Sequence, residues 1–384
     1  MRVVVCTVVH HPADARIFYR EIRALLDAGH DVVYIAPHDL TGHDLAGLGT
    51  VRENQNRDHP ERTAGSLTTV TIPRAVGRHR LAPLRAAKAA MAAQAAGADL
   101  LLVHDPELLL VLPPRRRRPP TVWDVHEDTA AALTTKAWLP AWLRPVADRG
   151  VRVAEREAER RLHLMLAEHS YNERFAGTHP VVPNTTDVPA VAAPPSGPRR
   201  VLYVGHISPD RGSREMTELG KLLRPYGIAV ELIGPADAAA RAHIEAVQSE
   251  VGGDAVHWHG FVPNEEALGL VDGALAGLSL LQDEANFRHS LPTKVAEYMA
   301  RGVPVVSTPL PLAVELVAAA DGGFVVPFND PAAAAEAVLK LDADPDLRKA
   351  MGERGHAYAL ANLSWPPYAA ALVTQLEVWA AAGR

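Results

Sequence analysis

Short runs of apolar residues alternate with longer segments of helical periodicity along the whole chain. The first run, Arg2–Val9, predicts a buried strand, and apolar residues at helical spacing over Asp14–Ala28 predict a helix that ends before Gly29. The same alternation continues from Asp31–Ala36 to a last strand candidate at Gly323–Val326, and it includes a strand predicted at Ala229–Ile233 and a helix predicted at about Thr293–Ala300. Strands that alternate with helices in this way predict parallel sheets with helices on both faces.

One segment, Asp187–Arg200, interrupts this alternation because it is rich in proline, alanine and glycine. It predicts a linker at 188–200 between a first domain, 1–187, and a second domain, 201–364. The length of 384 residues suits two domains. We predict the α/β class, with two Rossmann-like doubly wound domains that face a central cleft, where ligands commonly bind.

Composition narrows the classes of function. The formal net charge of −6 gives no basic field that would favour nucleic acid. The single cysteine, Cys6, rules out a disulfide framework within the chain and fits a reducing compartment. No apolar window is long enough for a membrane span. We expect a cytoplasmic protein; the basic run Arg115–Arg118 predicts a solvated loop, with peripheral contact at the inner membrane face as the alternative.

The stretch Ser290–Met299 combines a helix start with a cation and a carboxylate. Ser290 is a residue type that caps helices, and Pro292 stands in the expected first turn, whose N–H groups favour an anion such as a diphosphate. Lys294 adds a positive charge. Glu297 follows on the same side of the helix, where a carboxylate can accept both hydroxyls of a ribose. A capped surface helix with an ion pair explains the same residues, so both interpretations stay open.

The order of motifs in the second half resembles that of retaining glycosyltransferases of the family 4 type, which have the two-domain GT-B fold. The motifs are Tyr203–Gly212, Val256–Pro263, Ser290–Met299 and Gly302–Thr308. The resemblance implies transfer of a sugar from a UDP- or GDP-linked donor, with retention of anomeric configuration and without a cofactor. The implied acceptor is a carbohydrate, a lipid-linked sugar or a small molecule. The resemblance also implies that a last helix, about 365–384, packs back on the first domain.

The resemblance assigns donor binding residue by residue, with the base at Phe261 and Val262, the phosphates near the glycine-rich turn, and the ribose at Glu297. Two positions depart from the family pattern. His206 stands where an arginine is usual, and a neutral imidazole is a weaker phosphate partner. His289 stands where a first glutamate usually contacts the donor sugar. The implied donor-binding residues are Gly205, His206, Arg211, Phe261, Val262, His289, Ser290, Leu291, Thr293, Lys294 and Glu297.

In the first half, two motifs place histidines and carboxylates at the ends of strands, where functional residues of parallel sheets concentrate. They are Leu102–Leu108 and Val122–Asp128, and both resemble segments of the same family. His126 matches a histidine close to the donor sugar and the β-phosphate, so we predict a catalytic positioning role for it. The acceptor-side candidates are Asp14, Arg16, His104 and Asp105. A capping role stays open for the two aspartates, and an exposed position stays open for Arg16.

Several of these side chains could supply metal ligands, but no familiar ligand spacing is present, and we expect no metal. Two other functions stay open: a non-catalytic nucleotide-sugar binder or partner subunit, and a nucleotide-sugar epimerase. The potential ligands are His104, Asp105, Asp124, His126, Glu127 and Asp128.

Overall fold

Two six-stranded parallel sheets organise the chain. The computed structural model describes residues 1–37, 65–77, 79–126, 142, 144–194, 197–285 and 287–383. The chain divides into two units, one formed by Met1–Asn184 with Pro366–Arg384 and the other by Thr185–Trp365. The segment 188–200, predicted as a linker, therefore lies in the second unit, where Arg200 already begins a strand.

Most strands of the first unit are rich in apolar residues and buried, which is typical of parallel strands covered on both faces, whereas the edge strand at Leu67–Ile72 is largely exposed. The strands are β1 (Arg2–Cys6), β2 (Asp31–Pro37), β3 (Leu67–Ile72), β4 (Leu100–Val103), β5 (Thr121–Val125) and β6 (His163–Leu166). The helices are α1 (Arg23–Asp27), which continues a π-helical stretch at Ile17–Ile22, α2 (Leu81–Ala95) and α3 (Arg144–Arg161). The order in the sheet is β3-β2-β1-β4-β5-β6, with each neighbouring pair parallel.

Strand β1 is shorter than predicted, and the difference shapes the candidate site. It ends at Cys6 rather than Val9. The Thr7 N–H still donates to the Ile35 carbonyl of β2 at 3.0 Å, but the Val8 N–H donates to the carboxylate of Asp105 at 2.6 Å, as does the Thr7 hydroxyl at 2.8 Å. A buried side chain thus replaces the neighbouring strand as hydrogen-bond partner, which residue propensity alone does not indicate.

Ion pairs lie along the exposed face of helix α3, between Asp148 and Arg152 and between Glu157 and the arginines that follow it, but other charges of the helix contact residues outside it. Glu155 is buried and pairs with Arg174, and Glu159 accepts hydrogen bonds from outside the helix. Of these glutamates, Glu157 pairs along the helix with Arg161. Some charged residues of α3 therefore bind other parts of the first unit, and others pair along the helix.

The second unit repeats the architecture. Its strands are β7 (Arg200–Val204), β8 (Ala229–Ile233), β9 (Val256–Gly260), β10 (Ala276–Ser279), β11 (Val305–Ser307) and β12 (Gly323–Val325), in the order β12-β11-β10-β7-β8-β9. Its helices are α4 (Ser213–Leu223), α5 (Ala238–Val251), α6 (Asn264–Val271), α7 (Thr293–Ala300), α8 (Pro311–Ala320), α9 (Pro331–Ala343) and α10 (Pro345–Asn362). Helix α8 was not predicted, because its mostly apolar sequence shows no clear polar face.

The last helix, α11 (Trp365–Ala382), belongs to the first unit from Pro366 onward. The Glu377 carboxylate lies 2.9 Å from Nε2 of His30. The Trp379 ring stacks on His163, with ring centroids 4.9 Å apart. Over the stretches that the structure describes, no helix is both long enough and apolar enough to cross a membrane.

Candidate functional site

In the second unit, predicted donor residues gather where β7 ends. The chain turns at Gly205, whose φ of 132° is a conformation that residues with a side chain rarely adopt. A Cβ on Gly234 would lie 2.0 Å from the Gly205 carbonyl oxygen, so this close approach of the two backbones requires glycine at position 234. The Tyr203 hydroxyl donates to the His206 carbonyl at 2.8 Å and closes the turn. The glycine-rich turn is thus a fixed backbone feature.

Two cations lie beside this turn. The Nζ of Lys294 is 5.1 Å from the centre of the Tyr203 ring, and the guanidinium of Arg211 is 5.6 Å from the centre of the Phe287 ring. Burial, followed by the charge of Arg211, lowers the pKa of Lys294 to about 7, although Glu297 acts in the opposite direction. Lys294 is only 6% exposed. The protein therefore maintains two neighbouring positive groups at a cost in desolvation and repulsion, which is the arrangement expected of an anion site.

Helix α7 is held rigidly under the turn. The Tyr298 hydroxyl accepts a hydrogen bond from the Val204 N–H at 3.0 Å and donates to the Leu278 carbonyl at 3.2 Å. The Tyr298 ring fills the space beside Gly277, because a Cβ on Gly277 would lie 2.2 Å from a ring carbon of Tyr298. Every residue from Lys294 to Ala300 is buried, so the alternative of a surface helix is wrong.

The helix start differs from the prediction. Pro292 occupies the N-cap position without a side-chain cap, so the cap expected from Ser290 is wrong. Thr293 is the first residue of α7, and Leu291 packs against the same apolar cluster as Val204. His289 is exposed in the preceding turn.

The remaining donor candidates lie at strand ends or in the turn. Phe261 and Val262 follow β9, and Phe261 is 55% exposed. The Gly234 N–H donates to the Gly260 carbonyl at 2.7 Å, which joins the carboxyl ends of β8 and β9. Partial burial and then the charge of Arg211 lower the pKa of His206, so its imidazole is neutral at about pH 7.

In the first unit, Asp124 at the carboxyl end of β5 is the centre of a buried polar network. Both of its oxygens accept hydrogen bonds from the Arg16 guanidinium, each at 2.7 Å. Nδ1 of His104 is hydrogen-bonded to Asp124 Oδ2 at 3.2 Å, and Nδ1 of His126 lies 3.2 Å from the same oxygen and is hydrogen-bonded to the Asp124 backbone carbonyl at 3.3 Å. Burial raises the pKa of Asp124, but Arg16 and the hydrogen bonds of the histidines outweigh it and hold that pKa well below its usual value. Asp124 is therefore a carboxylate that holds the two predicted histidines.

Arg16 is a buried cross-link. It is 4% exposed, so the alternative of an exposed arginine is wrong. Its Nε lies 2.9 Å from Glu21 Oε1, and its NH1 donates to the Val182 carbonyl at 2.9 Å. Burial and then the charge of Asp124 raise the pKa of Glu21 well above its usual value, against the effect of Arg16. The network thus holds one firmly ionised carboxylate and one that is easily protonated.

The two other aspartates that the sequence selected are fixed by backbone groups. Asp14 Oδ1 accepts the N–H groups of Arg16 and Ile17 at 2.9 and 3.0 Å, which confirms its capping role. Asp105 is 2% exposed and does not cap its own turn, so that alternative is wrong. Burial raises the pKa of Asp105, but hydrogen bonds from His10 and from Val8 lower it to about 2.

Sequence reasoning did not select His10, although it lies among the predicted residues. Its Nε2 is 2.9 Å from Nε2 of His126. The signal that could have found it is its position directly after the first buried strand, where a polar side chain meets the ends of the neighbouring strands.

The same network offers a possible set of metal ligands. Ligand atoms of His104, Asp124 and His126 lie within 4.8 Å of one another. The Arg16 guanidinium, however, already binds both oxygens of Asp124 and would repel a cation. The arrangement therefore favours an ion-pair network. The potential ligands Glu127 and Asp128 lie outside the described residues.

Residues 184–358 match the family model for glycosyl transferases group 1. The matched span is slightly less than half of the chain and contains both cations, the glycine turn and α7. WcaL of Escherichia coli (strain K12), provisionally named a colanic acid biosynthesis glycosyltransferase, is 31% identical over 180 residues, which are 45% of this chain and 44% of WcaL. The chain thus matches less than half the length of that relative.

Solved structures resemble the whole chain. Sucrose-phosphate synthase from Thermosynechococcus elongatus has a TM-score of 0.71 and 18% identity, with 99% of each chain covered. Anabaena HepE, solved with UDP-glucose, has a TM-score of 0.69 and 14% identity, over 98% of this chain and 100% of HepE. At such identities the likeness establishes the fold. The predicted α/β class, with two Rossmann-like domains of the GT-B type, is confirmed.

Proposed function

We propose that this protein is a glycosyltransferase of the retaining family 4 type that uses a nucleoside diphosphate sugar as donor. The observation that carries the proposal is the pair of neighbouring cations, Lys294 and Arg211, beside the rigid turn at Gly205. The family match, the name of WcaL and the UDP-glucose in the HepE structure support the same function. The proposed acceptor is a carbohydrate, a lipid-linked sugar or a small molecule.

In this proposal the diphosphate binds between Arg211 and Lys294, which stabilise the negative charge that grows on the leaving group. Glu297 accepts the ribose hydroxyls, and the backbone at Phe261 and Val262 contacts the base. The two cations supply the positive charge that a metal supplies in other transferases, so the reaction proceeds without one. His126 has a catalytic positioning role in this proposal, as the resemblance implies. UDP and GDP are the proposed nucleotides.

A second candidate is a nucleotide-sugar binder without turnover. The neutral imidazole of His206 favours it, because no charge stands where relatives carry a guanidinium. The two functions separate in one assay, in which the protein is incubated with UDP- and GDP-sugars and released nucleoside diphosphate is measured, with and without a panel of acceptors. Release would support a transferase, and tight donor binding without any release would support the binder.

Replacement of Glu297 by alanine should weaken binding of the preferred nucleoside diphosphate by about tenfold, because hydrogen bonds to charged groups contribute roughly 1.5–3 kcal/mol. Calorimetry with UDP and GDP measures it. Glu315→Ala is the matched control, since Glu315 is an exposed carboxylate in the same unit. Equal affinities for the two variants would remove Glu297 from the donor site.

We further propose that membrane contact of this chain is peripheral and uses its arginine surface, formed by Arg115–Arg118 with Arg161. The first three residues form an exposed turn, and the run is a solvated loop as predicted. Partial burial and then the charges of Arg115 and Arg161 lower the pKa of Arg118, so these groups lie close together. Such a cluster suits anionic lipid headgroups.

The triple variant R115Q/R116Q/R117Q should bind vesicles of phosphatidylglycerol and phosphatidylcholine about a hundredfold more weakly, at about 1 kcal/mol per charge near the surface. Vesicle sedimentation measures the effect. The control variant R85Q/K88Q removes two cations from α2 of the same unit. Equal binding of the triple variant, the control variant and the unaltered protein would contradict the proposal.

A further inference from the structure

The loop after β1 places one imidazole among three polar groups. Nε2 of His10 lies 2.9 Å from Nε2 of His126 and 3.3 Å from Oδ1 of Asp105. Its Nδ1 lies 3.7 Å from Oδ2 of Asp14. The two imidazole rings are tilted by 60°, with centroids 4.7 Å apart. His10 thus lies between two carboxylates and the histidine to which the proposed function gives a catalytic role.

Both carboxylates are fixed in place. The other oxygen of Asp105 accepts hydrogen bonds from Thr7 and Val8. The other oxygen of Asp14 accepts two backbone N–H groups at the start of the π-helical stretch. Neither can turn away from His10. Burial lowers the pKa of His10, but its close contacts with the carboxylates of Asp105 and Asp14 outweigh that effect and raise the pKa well above its usual value.

The proton positions at His126 follow from its contacts. Nδ1 of His126 lies 3.3 Å from the Asp124 backbone carbonyl, which can only accept, so this nitrogen carries the proton of a neutral His126. A contact between two imidazole nitrogens requires one donor and one acceptor, so Nε2 of His126 accepts and Nε2 of His10 donates. The ionised carboxylate of Asp124 lies 3.2 Å from the same Nδ1 and favours the proton there as well. Asp124 and His10 therefore favour the same tautomer from opposite sides.

We propose that His10 is a positioning residue, which holds His126 as a neutral imidazole with its proton on Nδ1 and its Nε2 ready to accept a hydrogen bond. A ligand group that replaces His10 at this nitrogen must donate hydrogen, as a sugar hydroxyl does. The consequence for catalysis rests on the proposed glycosyltransferase function, whereas the tautomer itself does not.

Histidine nitrogen NMR tests the tautomer directly, on the full chain with ¹⁵N-labelled histidine at about pH 7. We expect His10 to be doubly protonated and His126 to carry its proton on Nδ1. The signals are assigned by comparison with His10→Gln and His126→Gln. A proton on Nε2 of His126, or a doubly protonated His126, would overturn the proposal.

Variants at His10 test its effect on His126. His10→Ala removes the donor and should raise the fraction of His126 that carries its proton on Nε2, although Asp124 still favours Nδ1. His10→Gln keeps an N–H donor near the same place and should preserve Nδ1–H. The control is His179→Gln, which removes another imidazole bound to a carboxylate in the same unit. Thermal melting checks that each variant is folded. An unchanged His126 tautomer in folded His10→Ala would contradict the positioning role.

Steady-state kinetics, with a donor that the protein converts, provide a second test. His10→Ala should lower kcat by about tenfold or more with little change in KM, and His10→Gln should recover part of the loss. Equal losses in the two variants would argue against positioning through the donated hydrogen bond. If no donor is turned over, the transferase function fails, while the NMR result still decides the tautomer.

Discussion

Lys294→Ala should weaken nucleoside diphosphate binding by about a hundredfold at about pH 6.5, where the native lysine is charged, because a lost charged hydrogen bond costs roughly 1.5–3 kcal/mol. The substitution removes one of the two cations beside Tyr203. Calorimetry with UDP and GDP measures the change. Lys349→Ala is the control, since Lys349 is an exposed lysine of the same unit.

The pH dependence of binding follows from the same residue. The pKa of Lys294 without ligand is about 7, and a bound diphosphate must raise it. Below that pH the lysine is already charged, so binding takes up little proton. Above it, binding must protonate the lysine, and affinity should fall by up to about tenfold for each pH unit between about 7 and 9.

Calorimetry in buffers of different ionisation enthalpy measures this proton uptake. Phosphate groups are ionised above about pH 7, so they do not obscure it. Lys294→Arg remains charged throughout and should bind with a nearly constant affinity over the same range. Absence of proton uptake at about pH 8 in the native protein would show that no diphosphate approaches Lys294.

Arg16→Met should destabilise the protein by about 3–5 kcal/mol, the usual cost of leaving a buried charge without its partner. Methionine keeps much of the side-chain volume but leaves Asp124 without two hydrogen bonds of 2.7 Å. Without the guanidinium, the pKa of the buried Asp124 must rise above its unfolded value. The variant then loses stability as the pH rises through that pKa, so its deficit should be smaller at about pH 5 than at about pH 8.

Thermal and denaturant unfolding at both pH values measure the deficit. The matched control, Arg85→Met, replaces an exposed arginine of α2 and should change stability by less than about 0.5 kcal/mol. If Arg16→Met lost no more stability than Arg85→Met, the ion pair between Arg16 and Asp124 would contribute nothing to the free energy of unfolding. A deficit larger at the acid pH would contradict the assigned ionisation of Asp124.

Much of the fold could be predicted from the sequence because its signals are local. The predicted bounds of α7, Thr293–Ala300, and of β8, Ala229–Ile233, agree with the structure. Both segments have apolar positions at the period of their own element, with turn residues at their ends. Helix α8 could not be found in this way, because a mostly apolar helix lacks the alternation that identifies an element.

The chemistry of the candidate sites was only partly predictable. The helix-start pattern selected Lys294, and the resemblance selected Arg211. Whether the two lie close enough for the charge of Arg211 to lower the pKa of Lys294 depends on tertiary packing. In the first unit, resemblance selected His126 and missed His10. The contact between them joins residues 116 positions apart, and no local pattern contains it.

The sequence by itself determined the element order, the α/β class and the residue types available for binding a diphosphate, because periodicity, caps and motif order are properties of neighbouring residues. Only the tertiary structure decided their physical state. Burial makes Lys294 easily deprotonated and makes Arg16 a cross-link, and the neighbours of His126 determine which of its nitrogens we expect to carry the proton. Desolvation and charge pairing depend on three-dimensional neighbours, and those are set when distant strands and helices pack.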